Sequence, residues 1–183
     1  MLFQDQPVLT GRQVRLEQLT EKHFPGYWEM MREPEGNRLT GTHKEFSEEM
    51  TRHWLATRAD HHDRADWAIM HDGSFVGEVV LNSLNTDNSS VNFRIGLAGP
   101  RVYGLGYGTE ATQLVVDYAL DVVGLHRVEL EVYDFNPRAQ HVYAKCGFVE
   151  EGVRRDALLW DGKWHNAICM SILPTDPRVP ASV

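Results

Sequence analysis

A chain of 183 residues with 42% hydrophobic and 24% charged residues has enough apolar material for one folded domain, which excludes wholesale disorder. Its formal net charge of −8 argues against nucleic acid as a direct partner, since phosphate binding asks for a basic face, and suits a cationic substrate better. No apolar run approaches the ~20 residues of a membrane span, and the opening "MLFQDQPVLTG" lacks a signal-peptide pattern, so the expectation is a cytoplasmic protein with no membrane partner.

The elements follow in chain order. "RQVRLEQL" sets Val14, Leu16 and Leu19 as the apolar members of a short first strand. Thr20 is placed to cap "EKHFPGYWEMMREP", a helix interrupted at Pro25 and Gly26 and ended by Pro34. "EPEGNRLTGTHKEF" reads as a loop, and "FSEEMTRHWLATRA" as a second helix with Ser47 at its cap and Met50, Trp54 and Leu55 on one face. "DWAIMHDGSFVGEVVLNSL" is a hairpin turned at His71-Asp72-Gly73-Ser74, and "TDNSS" turns the chain again into "VNFRIGL". After the glycine-rich "RVYGLGYGTEA" comes a helix over "TEATQLVVDYALDVVGL", which Gly124 can end. "HRVELEVYDF" alternates as a strand, and "NPRAQHVYAKCGF" is a short helix with Asn136 at the cap and Pro137 in the first turn. "DALLWDGKWHNAICMSIL" closes as a hairpin turned at Asp161-Gly162, followed by a tail, 174–183, that looks loose.

The order β-α-α-β-β-β-α-β-α-β-β predicts an α/β (α+β) single domain over residues 1–183, with a mixed, mostly antiparallel sheet of about seven strands and helices on both faces. Cys146 and Cys169 lie in apolar runs and read as buried thiols. The nine histidines include no pair at i, i+4 enclosing a Glu, so no metal site is expected.

Three glycines at alternate positions, Gly104, Gly106 and Gly108, stand just before a helix. A strand, a glycine-rich loop and a helix start together make an anion site of outward-pointing backbone amides. The loop is not a Walker A motif, because no lysine follows the glycines. Nor is it the dinucleotide fingerprint, because Thr109 holds the third glycine's position and the preceding chain is an antiparallel meander.

Arg101-x-x-Gly104-x-Gly106, followed by "LHRVELEVYDFNPRAQHVYAKCGFVEEG", resembles the GNAT acyltransferase superfamily. The likeness spans nearly the whole chain and is closest from Val91 to Leu173, nearest to the ribosomal-protein N-terminal acetyltransferases, with the spermidine acetyltransferases second. It implies the GNAT fold and acetyl-CoA as cofactor. The run Arg101, Val102, Tyr103, Gly104, Leu105, Gly106, Tyr107, Gly108 and Thr109 would cradle the pyrophosphate, on amides that a Cβ would push away. Gly96, Leu97 and Ala98 would meet the pantetheine and thioester where two strands splay, Asn136 would reach the pantetheine arm, and Arg138 the phosphates. Tyr143 stands where relatives carry the tyrosine that protonates the departing thiolate; a core aromatic is the bland alternative.

The chain departs from that pattern at Asn92, where many relatives place a Glu as general base; Glu78, Glu129 and Glu131 are other strand carboxylates, with nothing to choose between them. Asn166 stands where relatives often show Asp. Trp28, Arg32, Trp164 and His165 are the expected acceptor contacts, with Met31, Trp54 and Trp160 also in view. The resemblance implies acetyl transfer in a ternary complex to a primary amine, a protein or peptide N-terminus first, by a monomer or homodimer. A polyamine or other small amine of the spermidine or aminoglycoside type is the alternative acceptor. A catalytically weakened acyl-CoA sensor is the non-enzyme alternative.

Overall fold

The computed structural model describes residue 3 and residues 6–179. Eight strands form one sheet in the order β1-β2-β3-β4-β5-β6-β8-β7, and every neighbouring pair is antiparallel except β5–β6. They are β1 (Leu9–Thr10), β2 (Arg15–Gln18), β3 (Ala65–His71), β4 (Ser74–Asn85), β5 (Ser90–Leu97), β6 (Arg127–Tyr133), β7 (Val149–Trp160) and β8 (Lys163–Ile172). The strand beyond the expected seven is β1, two residues paired with Arg15 and Leu16. Both hairpin turns form where the sequence placed them: Asp72 and Gly73 have φ of 46° and 75°, and Asp161 and Gly162 have 49° and 74°. Two consecutive positive φ values are what a tight two-residue hairpin turn needs, and Asp-Gly supplies them at low cost.

Five helices pack on this sheet: α1 (Phe24–Met31), α2 (Pro34–Thr40), α3 (Glu48–Ala56), α4 (Tyr107–Asp117) and α5 (Pro137–Lys145). Pro25 does not interrupt α1, because it sits in the first turn, where no N–H is required. Pro34 likewise starts a helix rather than only ending one. The Glu33 carboxylate accepts from the N–H of Glu35 and Gly36, and Gly41 closes the helix at φ 64°, so part of the expected loop is α2. Past Asp117 the α4 helix widens into a π turn over Tyr118–Val122, and Gly124 ends it at φ 78°. Trp67 meets Tyr118 and Phe93 meets Tyr143, so α4 and α5 cover one face of the sheet, while Tyr27 of α1 packs on Phe75 at the other.

The tail expected to be loose is held as far as Arg178, whose guanidinium pairs with Asp117 at 2.7 Å and Asp121 at 2.5 Å. Residues 180–183 lie outside the described residues. Among the described residues no helix is long and apolar enough to cross a membrane, and no cluster of His, Cys, Asp or Glu could hold a metal ion.

Candidate functional site

The site grows from one break in the sheet. β5 and β6 pair only over Ser90–Asn92 and Arg127–Glu129, although β5 runs on to Leu97 and β6 to Tyr133. Beyond Asn92 the strands part and a wedge opens between them. The Ala98 N–H is bonded to Val76 O at 2.9 Å. By the alternation of an antiparallel ladder, the N–H groups of Ile95 and Leu97 then point away from β4, toward the wedge. A cavity of about 1160 Å³ fills it, continuous from the glycine loop to α2 and α3.

At one mouth of the cavity lies the loop before α4. Gly104 and Gly106 have φ of 75° and 90°, a region L side chains avoid, so these glycines are required by backbone conformation. A Cβ on Gly104 would meet nothing within 4 Å, which leaves the space in front of it open. No side chain caps α4; its first backbone bond runs from Glu110 N–H to Gly106 O, leaving the amides of Tyr107, Gly108 and Thr109 without helical partners. Arg138 stands across the loop with its guanidinium 3.9 Å from the centre of the Tyr103 ring, adding positive charge beside those amides. Asn136 caps α5, its Oδ1 accepting from Ala139 N–H at 3.2 Å.

Gly96, Leu97, Val102, Tyr103, Gly104, Gly106, Tyr107, Gly108, Thr109, Asn136, Arg138 and Tyr143 all line this cavity. Ala98, Arg101 and Leu105 do not: Ala98 is spent on β4, Arg101 leans toward Glu29 at 3.6 Å, and Leu105 is half exposed. The expected acceptor contacts also lie elsewhere. Trp28 stacks on Phe24 under Arg32, Trp164 is exposed on the last hairpin, and His165 sits between Asp134 and Phe135. Trp160 is stacked on His43, and Asn166 braces β7 by accepting from Asp156 N–H. The cavity wall is lined instead by Tyr27, Met30 and Met31 of α1, Trp54 of α3, and Lys44, Arg64 and Arg94.

Tyr143 is buried, its ring edge-on to Phe93 at 6.1 Å and tilted against Phe148 at 5.9 Å. Burial, with Cys146 nearby, pushes its phenol above the ordinary value of 10.0. Tyr143 stands on the cavity wall, and none of the side-chain hydrogen bonds found among the described residues involves its hydroxyl. The three strand carboxylates separate clearly. Glu129 is paired with Arg127 at 2.8 Å and Glu131 with Arg154 at 2.5 Å, whereas Glu78 lies partly buried on the cavity floor, opposite Gly96. Burial first, then Asp66, raises the Glu78 carboxyl from 4.5 to about 7. Asn92 is tied across the same strand pair, donating to Asn82 Oδ1 at 2.7 Å.

Residues 13–149 match the family described as "Acetyltransferase (GNAT) domain". The chain belongs to this family. The spermidine N(1)-acetyltransferase of Vibrio cholerae is 31% identical over 115 residues, 61% of this chain and 66% of that protein. The putative ribosomal N-acetyltransferase YdaF of Bacillus subtilis is 30% identical over 105 residues, 57% of each chain. These matches span less than two thirds of either relative's length. In fold, the chain resembles the crystal structure of the Vibrio cholerae spermidine N-acetyltransferase in complex with CoA and spermine, with a TM-score of 0.82 over 88% of this chain and 95% of that one at 22% identity. Relatives of both expected branches are present at similar identity.

Proposed function

We propose that this GNAT domain is an acetyl-CoA-dependent N-acetyltransferase whose acceptor is the α-amino group of a peptide or protein. The parting of β5 and β6 beside an uncapped helix start carries the reading. One structural break offers amides for a pyrophosphate at α4 and an unpaired strand edge for an extended acyl arm. The residues present fit acetyl-CoA. Gly104 and Gly106 keep the loop's backbone bare, the amides of Tyr107, Gly108 and Thr109 with Arg138 would meet its phosphates, and Ile95 and Leu97 would hold its arm as an added strand.

Acetyl-CoA supplies a thioester whose carbonyl accepts the amine and whose sulfur leaves as a thiolate. The Leu97 N–H, on the free edge, is placed to polarise a carbonyl oxygen. Tyr143 Oη is placed to donate its proton toward a departing sulfur.

The choice of acceptor rests on charge. Lys44, Arg64 and Arg94 face the acceptor side, and Lys44 and Arg94 enter no ion pair among the described residues. Of the carboxylates there, Glu131 is already paired with Arg154 and the Glu78 carboxyl is raised to about 7. Arg64 is taken up by Asp66, so Lys44 and Arg94 supply the unpaired charge. This lining repels a polycation and tolerates one amine on a neutral or acidic chain. A panel of peptides beginning with Ser or Ala should show sequence-selective release of CoA thiol that moderate salt changes little. Spermidine turnover tenfold above every peptide, falling steeply with added salt, would reassign the acceptor to a polyamine.

The anion site has its own test. Gly106→Val should raise the acetyl-CoA Kd at least tenfold, or ~1.4 kcal/mol, by calorimetry. A branched Cβ at φ 90° also strains the loop, and the added atom comes within 3.1 Å of Gln13 Nε2, so the melting temperature should fall as well. A folded variant with unchanged affinity would remove the loop from the binding site.

A further inference from the structure

We infer that Glu78, on the floor of the wedge, is the general base that takes a proton from the acceptor amine, doing from β4 what Asn92 on β5 cannot. This rests on the acetyltransferase reading above. Three geometric facts support it. Glu78 is the cross-strand partner of Gly96, one residue before Leu97, whose N–H faces the wedge. A Cβ on Gly96 would find only Met30 Sδ, at 4.0 Å, so the strand pair is open beside Glu78, whose carboxyl meets the cavity with Tyr27 as its hydrogen-bond partner. The neighbouring carboxylates Glu129 and Glu131 are each held by an arginine, while Glu78 enters no ion pair among the described residues.

The groups facing Glu78 set its readiness. Tyr27 comes from α1, Arg58 from the turn after α3, Arg64 and Asp66 from the start of β3, and Arg94 from β5. Asp66 is itself clasped by Arg64 at 2.6 Å and 2.8 Å. Burial does most to raise the Glu78 carboxyl and the Asp66 charge adds to it, while Arg94, Arg64 and a hydrogen bond from Tyr27 oppose them, leaving the carboxyl at about 7. An α-amino group has a reference pKa of ~7.7–8.0 and a lysine-like amine ~10.4, so this base is matched to an N-terminus and poorly matched to a polyamine.

The proton balance is simple. The ammonium of the acceptor gives one proton to the Glu78 carboxylate. The neutral nitrogen then forms the C–N bond to the acetyl carbon as the C–S bond breaks. The remaining amine proton that is lost balances the one taken up by sulfur, and Glu78 returns its own to water.

The test is the pH profile of kcat/KM for wild type and Glu78→Gln with a peptide acceptor, read as thiol release. Wild type should show an acidic limb near pH 7. The Gln variant should lose about 10²-fold or more at pH 7, lose that limb, and recover part of its rate at high pH, where the amine deprotonates unaided. Its acetyl-CoA Kd should stay within about twofold of wild type, which a merely structural disturbance of the wedge would not allow. Stability supplies a second readout. Because the folded pKa lies above 4.5, the favourable contribution is complete below that value and is lost as pH rises through about 7. Wild type should therefore lose melting temperature between about pH 4.5 and pH 7 by a component that Glu78→Gln lacks. Turnover by wild type with the acidic limb unchanged in Glu78→Gln would overturn the role of Glu78 alone. A wild-type protein that acetylates no amine would overturn the acetyltransferase reading, and this role with it.

Discussion

Tyr143→Phe is expected to lower kcat by about 10²-fold or more while leaving the apparent KM for acetyl-CoA within about twofold. The variant removes one oxygen and little else. The ring stays between Phe93 and Phe148, whose centroids lie 6.1 Å and 5.9 Å away, so the packing that fixes α5 on the sheet survives. None of the side-chain hydrogen bonds found among the described residues involves this hydroxyl, which sits on the cavity wall. Burial raises the phenol above its ordinary value, which keeps it protonated, and therefore a donor, throughout the working pH range. A raised pKa also makes the phenol a weaker acid. The same desolvation also raises the pKa of a thiol leaving in the same space, so burial does not by itself widen the gap between their reference values of ~10 and ~8.5. The measurement is steady-state thiol release beside a single-turnover experiment that shows chemistry to be limiting. A loss under twofold under those conditions would return Tyr143 to a packing role.

What the sequence revealed of this site is what depends on local backbone chemistry. Gly104 and Gly106 need positive φ, Asn136 needs only the N–H three residues on, and Asp72-Gly73 and Asp161-Gly162 need only themselves. Each of these is settled within a few residues. Pro34 shows the limit of local rules, because the same residue ends one helix and begins the next, and only the Glu33 cap decides that α2 exists. The acceptor contacts were hidden for a different reason. Helical spacing groups Trp28 and Met31 without saying that Met31 reaches the cavity while Trp28 packs on Phe24. Among the carboxylates, Glu78, Glu129 and Glu131 carry the same strand pattern, and what separates them is strand order. β6 itself supplies Arg127 to Glu129 and β7, beyond β8, supplies Arg154 to Glu131, while Gly96 leaves the third more open.

Glu110→Ala should unfold the domain more readily than any other single loss of a polar side chain named above. In "GTEA" this residue reads as an ordinary acid in the first turn of a helix, and its true partners lie 96 to 98 residues earlier. Its buried carboxylate accepts the backbone N–H groups of Arg12, Gln13 and Val14, each at 2.8 Å, and so pins the turn between β1 and β2 onto the start of α4. Truncation orphans all three donors. At ~1–3 kcal/mol for each unmet group, discounted because water can reach Arg12 and Gln13, the cost is about 3–5 kcal/mol. For a chain of this size that lowers the melting temperature by roughly 10 °C or more. Gly11 makes the account testable by a double-mutant cycle. A Cβ there would lie 2.6 Å from Glu110 Cδ and 2.9 Å from its Cγ, so Gly11→Ala should destabilise the wild-type protein. In the Glu110→Ala background those atoms are gone, and the same substitution should cost almost nothing. The pinning also bears on the anion site. A carboxylate in the first turn of α4 would oppose a pyrophosphate at the helix start, but here its charge is taken up by three amides of another segment. Glu110→Ala should therefore weaken acetyl-CoA binding through a displaced helix start, despite removing a negative charge beside it. Equal costs for Gly11→Ala in both backgrounds, or tighter acetyl-CoA binding by Glu110→Ala, would show that this carboxylate does not hold the helix start in place.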